Sequence, residues 1–443
     1  MFNLAFPLTM TVLTRFLFPT VALACVMTSG LLEGCGGAAH FLYQNRNTPA
    51  IRRDTIAGGS TRTTVQNPQD STNGTVKLAP VEMLGLREVS LEIPSGLTAP
   101  PFDQPRKLMA PPGFKARVYA YDLGRPSDIV LRDDGTIFFS DMDGGKVMAL
   151  SPDGTKTMIA DGLSSPFGLD MHQGVLYYCD ENRVFRFDFS GPTAVTGTAT
   201  MLTDKITDGG YNYTRTIRWM PADKKIYISV TSTTNNTPED DLSSAVVLRM
   251  NDKKGDLPVT AIRGLRNTVA MAVHPETGEM WGIDNGTDYM SLDNPPEELN
   301  ILKPNKHYGW PKLYSQNLVD PDRTEDKSPT SGLTTPVAEL QSHLEITDMA
   351  FYTGTAFGSD WRNALLMTSY GERKISGTTE GCKVMRLRAN SDGTGAVQAD
   401  VVTGFREADG AIWARPVGVA ISNDGNTFYV TDDVNGVIYA FSK

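Results

Sequence analysis

Histidine is the first residue type to consider for proton-transfer chemistry, because its side chain changes charge near neutral pH. The chain has only five histidines in 443 residues. His172 and His274 stand in hairpin-turn contexts, DMHQG and VHPETG, which predict surface turn positions, and His40 lies in a polar N-terminal stretch. Two candidates for chemistry remain. For both His307, in HYGWP, and His343, just before a repeated strand unit, a functional role and a packing role stay open.

Carboxylates are the second group with chemical potential. Glu297 and Glu298 in PPEELN are candidates for a cation site, although bracing of a loop explains them equally well. Other aspartates recur at the ends of predicted second strands, which favours capping of backbone amides in turns; they are Asp141, Asp180, Asp284 and Asp432.

The overall composition is that of an acidic globular protein. It contains 51 Asp+Glu against 41 Lys+Arg, a formal net charge of −10, with 40% apolar and 21% charged residues. This balance excludes a disordered chain and argues against a nucleic-acid partner, which requires a basic face. Four cysteines without a paired CxxC pattern exclude a disulfide scaffold and a zinc ribbon. Cys179 and Cys382 are predicted to be either a disulfide or two free buried thiols.

The N-terminus has the features of a secretory leader. Arg15 precedes an apolar stretch, residues 16–32, that ends in small residues and is short for a membrane span. The sequence Leu-Leu-Glu-Gly before Cys35 resembles a bacterial lipobox, with ordinary signal cleavage as the alternative. We therefore expect a signal peptide over 1–34, an extracytoplasmic location and membrane contact only through a lipid anchor. Residues 35–105 are predicted to be a flexible tether containing one docking strand.

The rest of the chain repeats itself. Each repeat pairs one alternating apolar strand with a second across a turn rich in Gly, Asp or Pro, and most repeats continue into a third strand. Six segments open in this way: 125–141, 165–180, 214–230, 266–284, 345–369 and 415–432. Short strands repeated with regular turns are typical of propeller blades. The sequence therefore predicts an all-β, six-bladed β-propeller over 106–443, with seven blades or a sandwich as weaker alternatives.

The repeat motifs resemble a known family. The segments GLRNTVAMAVHPETGEMWGIDNGTDY, PPEELN and HYGWP within 264–311, with SPFGLDMHQGVLYYCDENRVFRF, YTRTIRWMPADKKIYISV and RPVGVAISNDG in the same order, are similar to the soluble PQQ-dependent sugar dehydrogenases, the glucose/sorbosone dehydrogenase family. The resemblance implies a six-bladed propeller with PQQ and Ca²⁺ at the channel mouth. It also implies that a His removes a sugar hydroxyl proton while hydride passes to the quinone C5, whose carbonyl the Ca²⁺ polarises.

The resemblance carries several roles to positions in this chain. Arg266 and Asn267 match a cofactor-contacting Arg-Asn pair. Gly286 and Thr287 match two residues whose backbone carbonyls ligate the calcium, a role that tolerates Thr at the second position. Arg415 matches a cofactor-binding Arg, but Val417 stands where the family has the second Arg of that pair.

The most serious departure concerns the catalytic base. Asn212, within Asp-Gly-Gly-Tyr-Asn-Tyr-Thr-Arg, occupies the position of the family's His. A neutral amide can orient a hydroxyl but cannot accept its proton, and general-base catalysis contributes about two to four orders of magnitude in rate. We expect weak or absent dehydrogenase activity unless the local alignment is shifted or another group substitutes; the candidates are His343, Asp348 and Tyr213.

Three functions remain open on these grounds. The first is a PQQ- and Ca²⁺-dependent dehydrogenase acting on a small sugar or other polyol. The second is a non-catalytic propeller of the same family that binds a ligand or a protein partner. The third is a lactonase-like propeller with a metal held by channel carboxylates. Asn212 favours the second over the first, whereas Arg266, Asn267 and the Asp-Asn-Gly segment favour the first.

Overall fold

The computed structural model describes residues 76–443 except 240–241, 289, 292, 329 and 372–380. The predicted leader, Cys35 and most of the predicted tether lie outside the described residues. Within the described part, no helix is long and apolar enough to span a bilayer. The helical content of that part is two short 3₁₀ turns, Pro321–Arg323 and Ser359–Trp361, as the absence of helical periodicity in the sequence predicts.

In the described part of the chain, six sheets with antiparallel blade strands are arranged as the blades of a propeller, and a two-stranded hairpin forms a seventh sheet. This confirms the predicted all-β, six-bladed fold. Strands are numbered in chain order. Three strands precede the first blade: β1 Arg87–Glu92, β2 Lys107–Ala110 and β3 Lys115–Ala120. The first blade contains β4 Pro126–Leu131, β5 Ile137–Asp141, β6 Lys146–Leu150 and β7 Lys156–Ala160. The second blade contains β8 Leu169–His172, β9 Val175–Cys179, β10 Val184–Phe189 and β11 Gly197–Thr203. The third contains β12 Ile217–Met220, β13 Lys225–Val230, β14 Val246–Met250 and β15 Val259–Arg263.

The fourth blade carries an insertion between its third and fourth strands. Its strands are β16 Ala270–Val273, β17 Met280–Asp284, β18 Glu297–Leu302 and β21 Ala338–Leu340, and the insertion holds the hairpin β19 Leu313–Tyr314 and β20 Leu318–Val319. The fifth blade contains β22 Ile346–Phe351, β23 Leu365–Ser369, β24 Lys383–Arg388 and β25 Val397–Val402. The sixth contains β26 Pro416–Ile421, β27 Thr427–Asp432 and β28 Val437–Ser442, with β3 as its fourth strand.

The ring closes where β28 pairs with β3. The pairing is antiparallel and places Ile438 opposite Ala120 and Ser442 opposite Lys115. The last three strands of the chain thus share a sheet with a strand that precedes the first blade. Both ends of the propeller sequence are fixed in the sixth blade.

Residues 77–92 form a strap along the outer edges of three successive blades. Ala79 N–H donates to Glu339 O of β21 at 2.7 Å, and Glu82 N–H donates to Gln398 O of β25 at 2.8 Å. The strap ends in β1, which runs parallel to β3. Docking onto the blades therefore begins at about residue 77, within the stretch 35–105 that the sequence predicts to be a tether with one docking strand. The strap covers edge strands that would otherwise present unpaired backbone groups.

The inner hairpins follow the turn chemistry of the repeats. Gly135, between β4 and β5, has φ +84°, and its N–H donates to Arg132 O at 2.9 Å. Gly425, between β26 and β27, has φ +69°, and its N–H donates to Ser422 O at 2.8 Å. Glycine adopts such positive φ values without steric cost, which explains why the Asp-Gly spacing marks blades in the sequence.

A buried guanidinium connects the inner strands around the channel. Arg218 of β12 donates to Leu169 O of β8 and to Met271 O of β16, both at 2.7 Å, and pairs with Asp348 of β22 at 3.1 Å and with Asp128 of β4 at 3.6 Å. The other oxygen of Asp348 accepts the N–H of Val419 in β26 at 2.9 Å. One network therefore contacts the innermost strands of all six blades.

Candidate functional site

Aspartates at the ends of second strands fix the points where first strands begin. Asp284 accepts the N–H of Arg266 at 2.8 Å, and Asp432 accepts the N–H of Arg415 at 3.0 Å. Asp141 binds the N–H of Arg125 in the same way at 2.9 Å. This is the capping role predicted for these aspartates. Because of it, the three arginines occupy equivalent positions in their blades.

Five of the seven site residues selected from the sequence line one cavity. The cavity has a volume of about 10 Å³, and these five residues are Asn212, Arg266, Asn267, Gly286 and His343. They come from three different segments, before β12, around β16–β17 and before β22. The cavity holds about one water molecule. The sequence motifs thus converge in space, which their separation along the chain does not by itself require.

Arg266 is the best-anchored side chain of the cavity. Its Nε and Nη2 donate to the backbone O and the Oδ1 of Asn235 at 2.8 and 2.9 Å, and Nη1 donates to Asn285 O at 3.1 Å. Nη2 also pairs with Asp288 Oδ2 at 2.9 Å. The same Asp288 oxygen accepts the hydroxyl of Tyr211, whose side chain is 39% exposed, at 2.8 Å. The guanidinium is therefore held rigidly beside a carboxylate and an exposed aromatic ring.

Asn267 presents an unused polar atom. Its Oδ1 is buried and has no hydrogen-bond partner in the structure. A buried amide oxygen without a partner costs roughly 1–3 kcal/mol, so such an atom is usually satisfied by water or a ligand. Its position in the lining of the cavity makes a bound group the simplest partner.

Asn212 is buried beside Ser232 rather than extended into the open mouth. Its Nδ2 donates to Ser232 Oγ at 3.0 Å, and its backbone N–H donates to Ser232 O at 3.2 Å. Arg215 fixes the loop that carries Asn212, since its Nη1 and Nη2 donate to Thr214 O and Thr207 O at 2.9 and 2.8 Å. The amide at the position of the family's base is therefore fixed in place and offers no proton acceptor comparable to imidazole.

His343 reaches the same cavity from the other side. Its Nε2 lies 2.7 Å from Ser291 O, and the ring is partly exposed. His343 and Glu345 have φ values of +63° and +47°, on either side of the fully buried Leu344. Positive φ in residues other than glycine costs about 1–3 kcal/mol and persists only where the surrounding structure imposes it. The fold holds this segment in an unfavourable conformation.

Glu297 fixes the Asp-Asn-Gly loop. Its Oε2 accepts the Gly286 N–H at 2.7 Å and its Oε1 accepts the Glu345 N–H at 3.2 Å. Burial raises the pKa of Glu297 to about 8. A Cβ at Gly286 would lie 2.4 Å from Pro295 Cγ, so the close packing of this loop requires glycine. The sequence left both a cation site and a loop brace open for Glu297, and this geometry shows the loop brace.

A second cavity of about 20 Å³ adjoins the first and shares Arg266 and Gly286 with it. Thr287 lines this second cavity, together with Glu298 and Trp310. Burial raises the pKa of Glu298 well above its usual value, and the nearby Asp284 adds to the rise. The predicted calcium-ligating pair Gly286 and Thr287 therefore lies between two small polar cavities.

Arg415 lies apart from these cavities. Its Nε and Nη2 pair with the two carboxylate oxygens of Asp433 at 2.7 and 2.8 Å. The ring of Tyr370 covers the guanidinium at 4.0 Å. Val417, in place of the family's second Arg, packs in an apolar cluster with Met142 and Phe167 against the same tyrosine. The structure does not bring Arg415 together with the other predicted site residues.

The other proposed substitutes for the base are placed elsewhere. Asp348 lies in the channel, where it binds Arg218 and two backbone amides. Tyr213 is 38% exposed and is not part of the lining of the cavity. The channel carboxylates Asp128 and Asp348 thus converge on a guanidinium. In the described part of the chain, no group of three or more His, Cys, Asp or Glu is placed to hold a metal ion.

The remaining histidines and the cysteines have structural surroundings. His172 stacks on Trp219 with ring centroids 4.9 Å apart. His274 lies in a turn, as predicted, and its Nδ1 accepts the N–H groups of Glu276 and Thr277. The predicted surface position is wrong, because His274 is 2% exposed and packs against Trp281. Burial lowers the pKa of His307, whose Nδ1 accepts the Gly309 N–H. Cys179 and Cys382, for which pairing was open, are both buried and are not joined to each other by a disulfide.

Sequence reasoning missed three residues of the site. Tyr211 is adjacent to Asn212, and Asp288 follows Thr287 directly, so both were within reach of a search around the motifs. Asn235 was not, because it lies 31 residues from Arg266 in a loop of Thr and Asn without a recognisable pattern. Only the folded structure reveals its contact with the guanidinium.

The six-bladed propeller thus places an Arg-Asn pair, an Asp-Asn-Gly loop and a histidine around one cavity. The chain belongs to the glucose/sorbosone dehydrogenase family, since the sequence profile described as Glucose / Sorbosone dehydrogenase matches residues 179–439. It is also 24% identical over 352 residues to an uncharacterized protein of Borreliella burgdorferi (strain ATCC 35210 / DSM 4680 / CIP 102532 / B31), an overlap that covers 75% of this chain and 90% of that protein.

Solved structures of similar fold include sugar-oxidising enzymes. The holo form of the pyranose dehydrogenase PQQ domain from Coprinopsis cinerea superposes with a TM-score of 0.62 at 17% identity, covering 76% of this chain and 97% of that domain. The calcium structure of the Trichoderma reesei carbohydrate-active enzyme of family AA12 gives 0.61 at 19% identity, covering 76% and 96%. The PQQ-bound aldose sugar dehydrogenase from Streptomyces coelicolor gives 0.52 at 18% identity, covering 75% and 99%. At these identities the likeness shows the fold alone.

Proposed function

We propose that this protein is a quinone-dependent dehydrogenase that oxidises an aldose-type hydroxyl of a small sugar or related polyol. The observation that supports this most directly is the convergence of Asn212, Arg266, Asn267, Gly286 and His343 on one cavity. Family membership supports the proposed reaction, and the convergence of these residues supports this cavity as its proposed site.

The residues at the cavity suit an anionic planar quinone and a calcium ion in their chemistry. The anchored guanidinium of Arg266 would bind the anionic oxygens of the quinone, and the unpartnered Asn267 Oδ1, which can only accept, would bind an N–H of the cofactor or the cation. The backbone carbonyls of Gly286 and Thr287 would ligate the cation. When bound, PQQ with its calcium supplies the acceptor for hydride. The described cavity has room for about one water molecule, so the loops at the mouth must open to admit the quinone.

The chain's own residues bind and orient the substrate. The amide of Asn212 is fixed by Ser232 and can hold a hydroxyl group without taking its proton. The exposed ring of Tyr211, held by Asp288, offers an apolar face of the kind that packs against sugar rings. Arg266 contributes a permanent positive charge beside the reacting hydroxyl.

Reconstitution of the full chain tests this function. Purified protein is titrated with PQQ in the presence and absence of Ca²⁺, with quenching of tryptophan fluorescence as the measure of binding and reduction of an artificial electron acceptor by aldoses as the measure of turnover. Calcium-dependent binding together with sugar-dependent reduction supports the proposal. Absence of both, in protein whose circular dichroism shows a folded state, contradicts it.

The non-catalytic propeller is a second candidate because one specific contact favours it. The bidentate pairing of Arg415 with Asp433 neutralises an arginine that would otherwise serve an anionic cofactor. If the protein binds aldoses by calorimetry but neither binds nor reduces PQQ, this second function replaces the first.

We also propose an extracytoplasmic location with attachment through Cys35. The proposal is supported by the leader-like sequence of residues 1–34 and the lipobox-like residues before Cys35. Fractionation of cells that express the full chain and its Cys35→Ser variant tests it. Loss of the membrane-associated fraction in the variant alone is the expected result.

A further inference from the structure

We infer that His343 is the proton acceptor of this site and performs the step that Asn212 cannot perform. The inference rests on the proposed function, since it concerns the oxidation of a hydroxyl at the same cavity. It assigns a catalytic role to a residue that differs from the position where the family keeps its base.

The hydrogen bond of His343 determines which of its nitrogens can accept a proton. Ser291 O is a carbonyl oxygen and can only accept, so Nε2, at 2.7 Å, must carry the proton and donate it. In a neutral imidazole, Nδ1 is then the nitrogen with the free lone pair. This is the general arrangement of an oriented base: one nitrogen is fixed by a second group and the other is available for the substrate.

The location of His343 distinguishes it from the other possible substitutes. His343 lines the cavity with Asn212, whereas Asp348 is bound to Arg218 in the channel. Tyr213 lies on the exposed surface outside the lining. Among the three, His343 alone combines an acceptor nitrogen with contact to the cavity.

The backbone around His343 fixes the direction of its side chain. Leu344 is fully buried and anchors the segment, while His343 and Glu345 adopt positive φ values on either side of it. The Glu345 N–H is bound by Glu297, and the Ile346 N–H is bound by Asn285 Oδ1 at 2.8 Å. These contacts fix the backbone of the segment, and the hydrogen bond to Ser291 O restrains the imidazole itself.

Charged groups of both signs line the same cavity as the imidazole. The carboxyl groups are those of Glu345 on its own segment, Glu297 of β18 and Asp288 after β17, and the cation is Arg266. Nearby carboxylates stabilise the imidazolium that forms when a proton is accepted, and a guanidinium opposes it.

The step balances in atoms and electrons. The O–H bond of the substrate hydroxyl breaks and its proton moves to His343 Nδ1, while the C–O single bond becomes a carbonyl. The hydrogen on the same carbon would leave as hydride, with two electrons, and a bound quinone would be the oxidant that accepts it and becomes the quinol. The proton then leaves the imidazolium for solvent, so the histidine is regenerated.

The tautomer of His343 is measurable without any cofactor. Long-range ¹H–¹⁵N correlation spectra of ¹⁵N-histidine-labelled protein are feasible because the chain has only five histidines. The His343→Asn variant assigns the His343 signals, and asparagine tolerates the positive φ at this position. A neutral form protonated at Nε2 supports the inference. A neutral form protonated at Nδ1 overturns it, because the acceptor nitrogen would already carry a proton.

Kinetics of the reconstituted protein complete the test. His343→Asn is expected to bind PQQ as the wild type does, to lose about 10²–10⁴-fold in kcat and to recover rate with added imidazole. His172→Asn, which removes a histidine stacked on Trp219, serves as the control with unchanged kcat. A kcat within threefold of wild type in His343→Asn overturns the inference while leaving the proposed function intact. Failure of the wild type to bind PQQ overturns both.

Discussion

Arg218 and Asp348 form a buried ion pair across the central channel, with Nη2 and Oδ1 3.1 Å apart and the two side chains 11% and 3% exposed. They belong to the third and fifth blades, which are not adjacent in the ring. Because Arg218 also contacts the inner strands of the first, second and fourth blades, this pair connects elements that have no sheet hydrogen bonds in common. The Arg218–Asp348 pair therefore occupies the central channel, which would otherwise be open.

Replacing Arg218 with methionine is expected to destabilise the ring by about 3–5 kcal/mol at neutral pH, because it leaves buried carboxylates without their cation. Burial raises the pKa of Asp348 well above its usual value, the Asp128 carboxylate adds to the rise, and Arg218 opposes it. In the variant this pKa rises further. A raised folded-state pKa means that stability is retained at low pH and lost as the pH increases, so the loss is smaller at pH 4.5 than at pH 7.5.

Urea denaturation at the two pH values measures this effect. Arg249→Met is the matched control, since Arg249 pairs with Asp223 at 3.9 Å on the surface and such pairs contribute about 0–1 kcal/mol. The explanation is wrong if the Arg218 variant loses no more free energy of unfolding than this control, or loses equal amounts at both pH values.

Asp433→Asn is expected to destabilise the protein by about 3–5 kcal/mol, because it removes the buried carboxylate that pairs with Arg415 at 2.7 and 2.8 Å and with Arg125 at 3.1 Å. Urea denaturation gives the free energy of unfolding. Asp143→Asn is the control, because Asp143 is 71% exposed and its surface pair with Arg125 contributes about 0–1 kcal/mol. A loss no larger than that of the control would show that Asp433 is not needed to hold the two guanidinium groups.

Arg215→Lys is expected to loosen the loop that carries Tyr211 and Asn212. The guanidinium donates to the backbone oxygens of Thr214 and Thr207, and a single ammonium cannot replace this planar fork, so unsatisfied carbonyls remain at about 1–3 kcal/mol each. Hydrogen–deuterium exchange of the peptide spanning 207–215 is expected to accelerate.

The comparison for this loop is Arg186→Lys, at a surface pair with Asp188. In the Arg186→Lys variant, hydrogen–deuterium exchange of the peptide spanning 207–215 is expected to match that of the wild type. Unchanged protection of the loop in Arg215→Lys would show that the hydrogen bonds of Tyr211 and Asn212 to the neighbouring strand suffice to hold it.

Gly286→Ala is expected to destabilise the protein by about 1–3 kcal/mol, since the new Cβ would lie 2.4 Å from Pro295 Cγ and 3.3 Å from Pro296 O. Gly191→Ala is the matched control, because its nearest neighbour, Ala194 Cβ, is 3.8 Å away and stability should stay the same or rise slightly. Thermal denaturation of both variants provides the measurement. A Gly286 variant as stable as the Gly191 variant would mean that the Pro295 loop moves freely.

The blade pattern could be derived from sequence because the fold repeats local rules. The Asp-Gly turns at Gly135 and Gly425 and the capping aspartates Asp284 and Asp432 each act within about 20 residues, so their spacing is visible in the chain. The strap could not be derived beyond one docking strand. Its pairing with Glu339 and Gln398 joins residues more than 250 positions apart, and no local pattern encodes such contacts.

The proximity of some motif residues could be predicted from sequence, but their side-chain contacts could not. Arg266 and Asn267 lie near Gly286 because neighbouring strands of one blade bring them together. The partner of Arg415 was not predicted, although Asp433 is only 18 residues away, since a bidentate pair depends on side-chain directions rather than spacing. His274 was placed on the surface for the same reason: its turn was recognised, but the rings that cover it come from other strands.

The strap of residues 77–92 also determines how the molecule would respond to mechanical load. A pull on the chain from its N-terminal side first meets the bonds at Glu339 and Gln398 and then the parallel pairing of β1 with β3, before any force reaches the junction of β3 with β28. These attachments on three blades would therefore have to break one after another before the pull reached the seam of the ring. For a propeller tied to a surface by its N-terminus, this path of force protects the closure on which the whole ring depends.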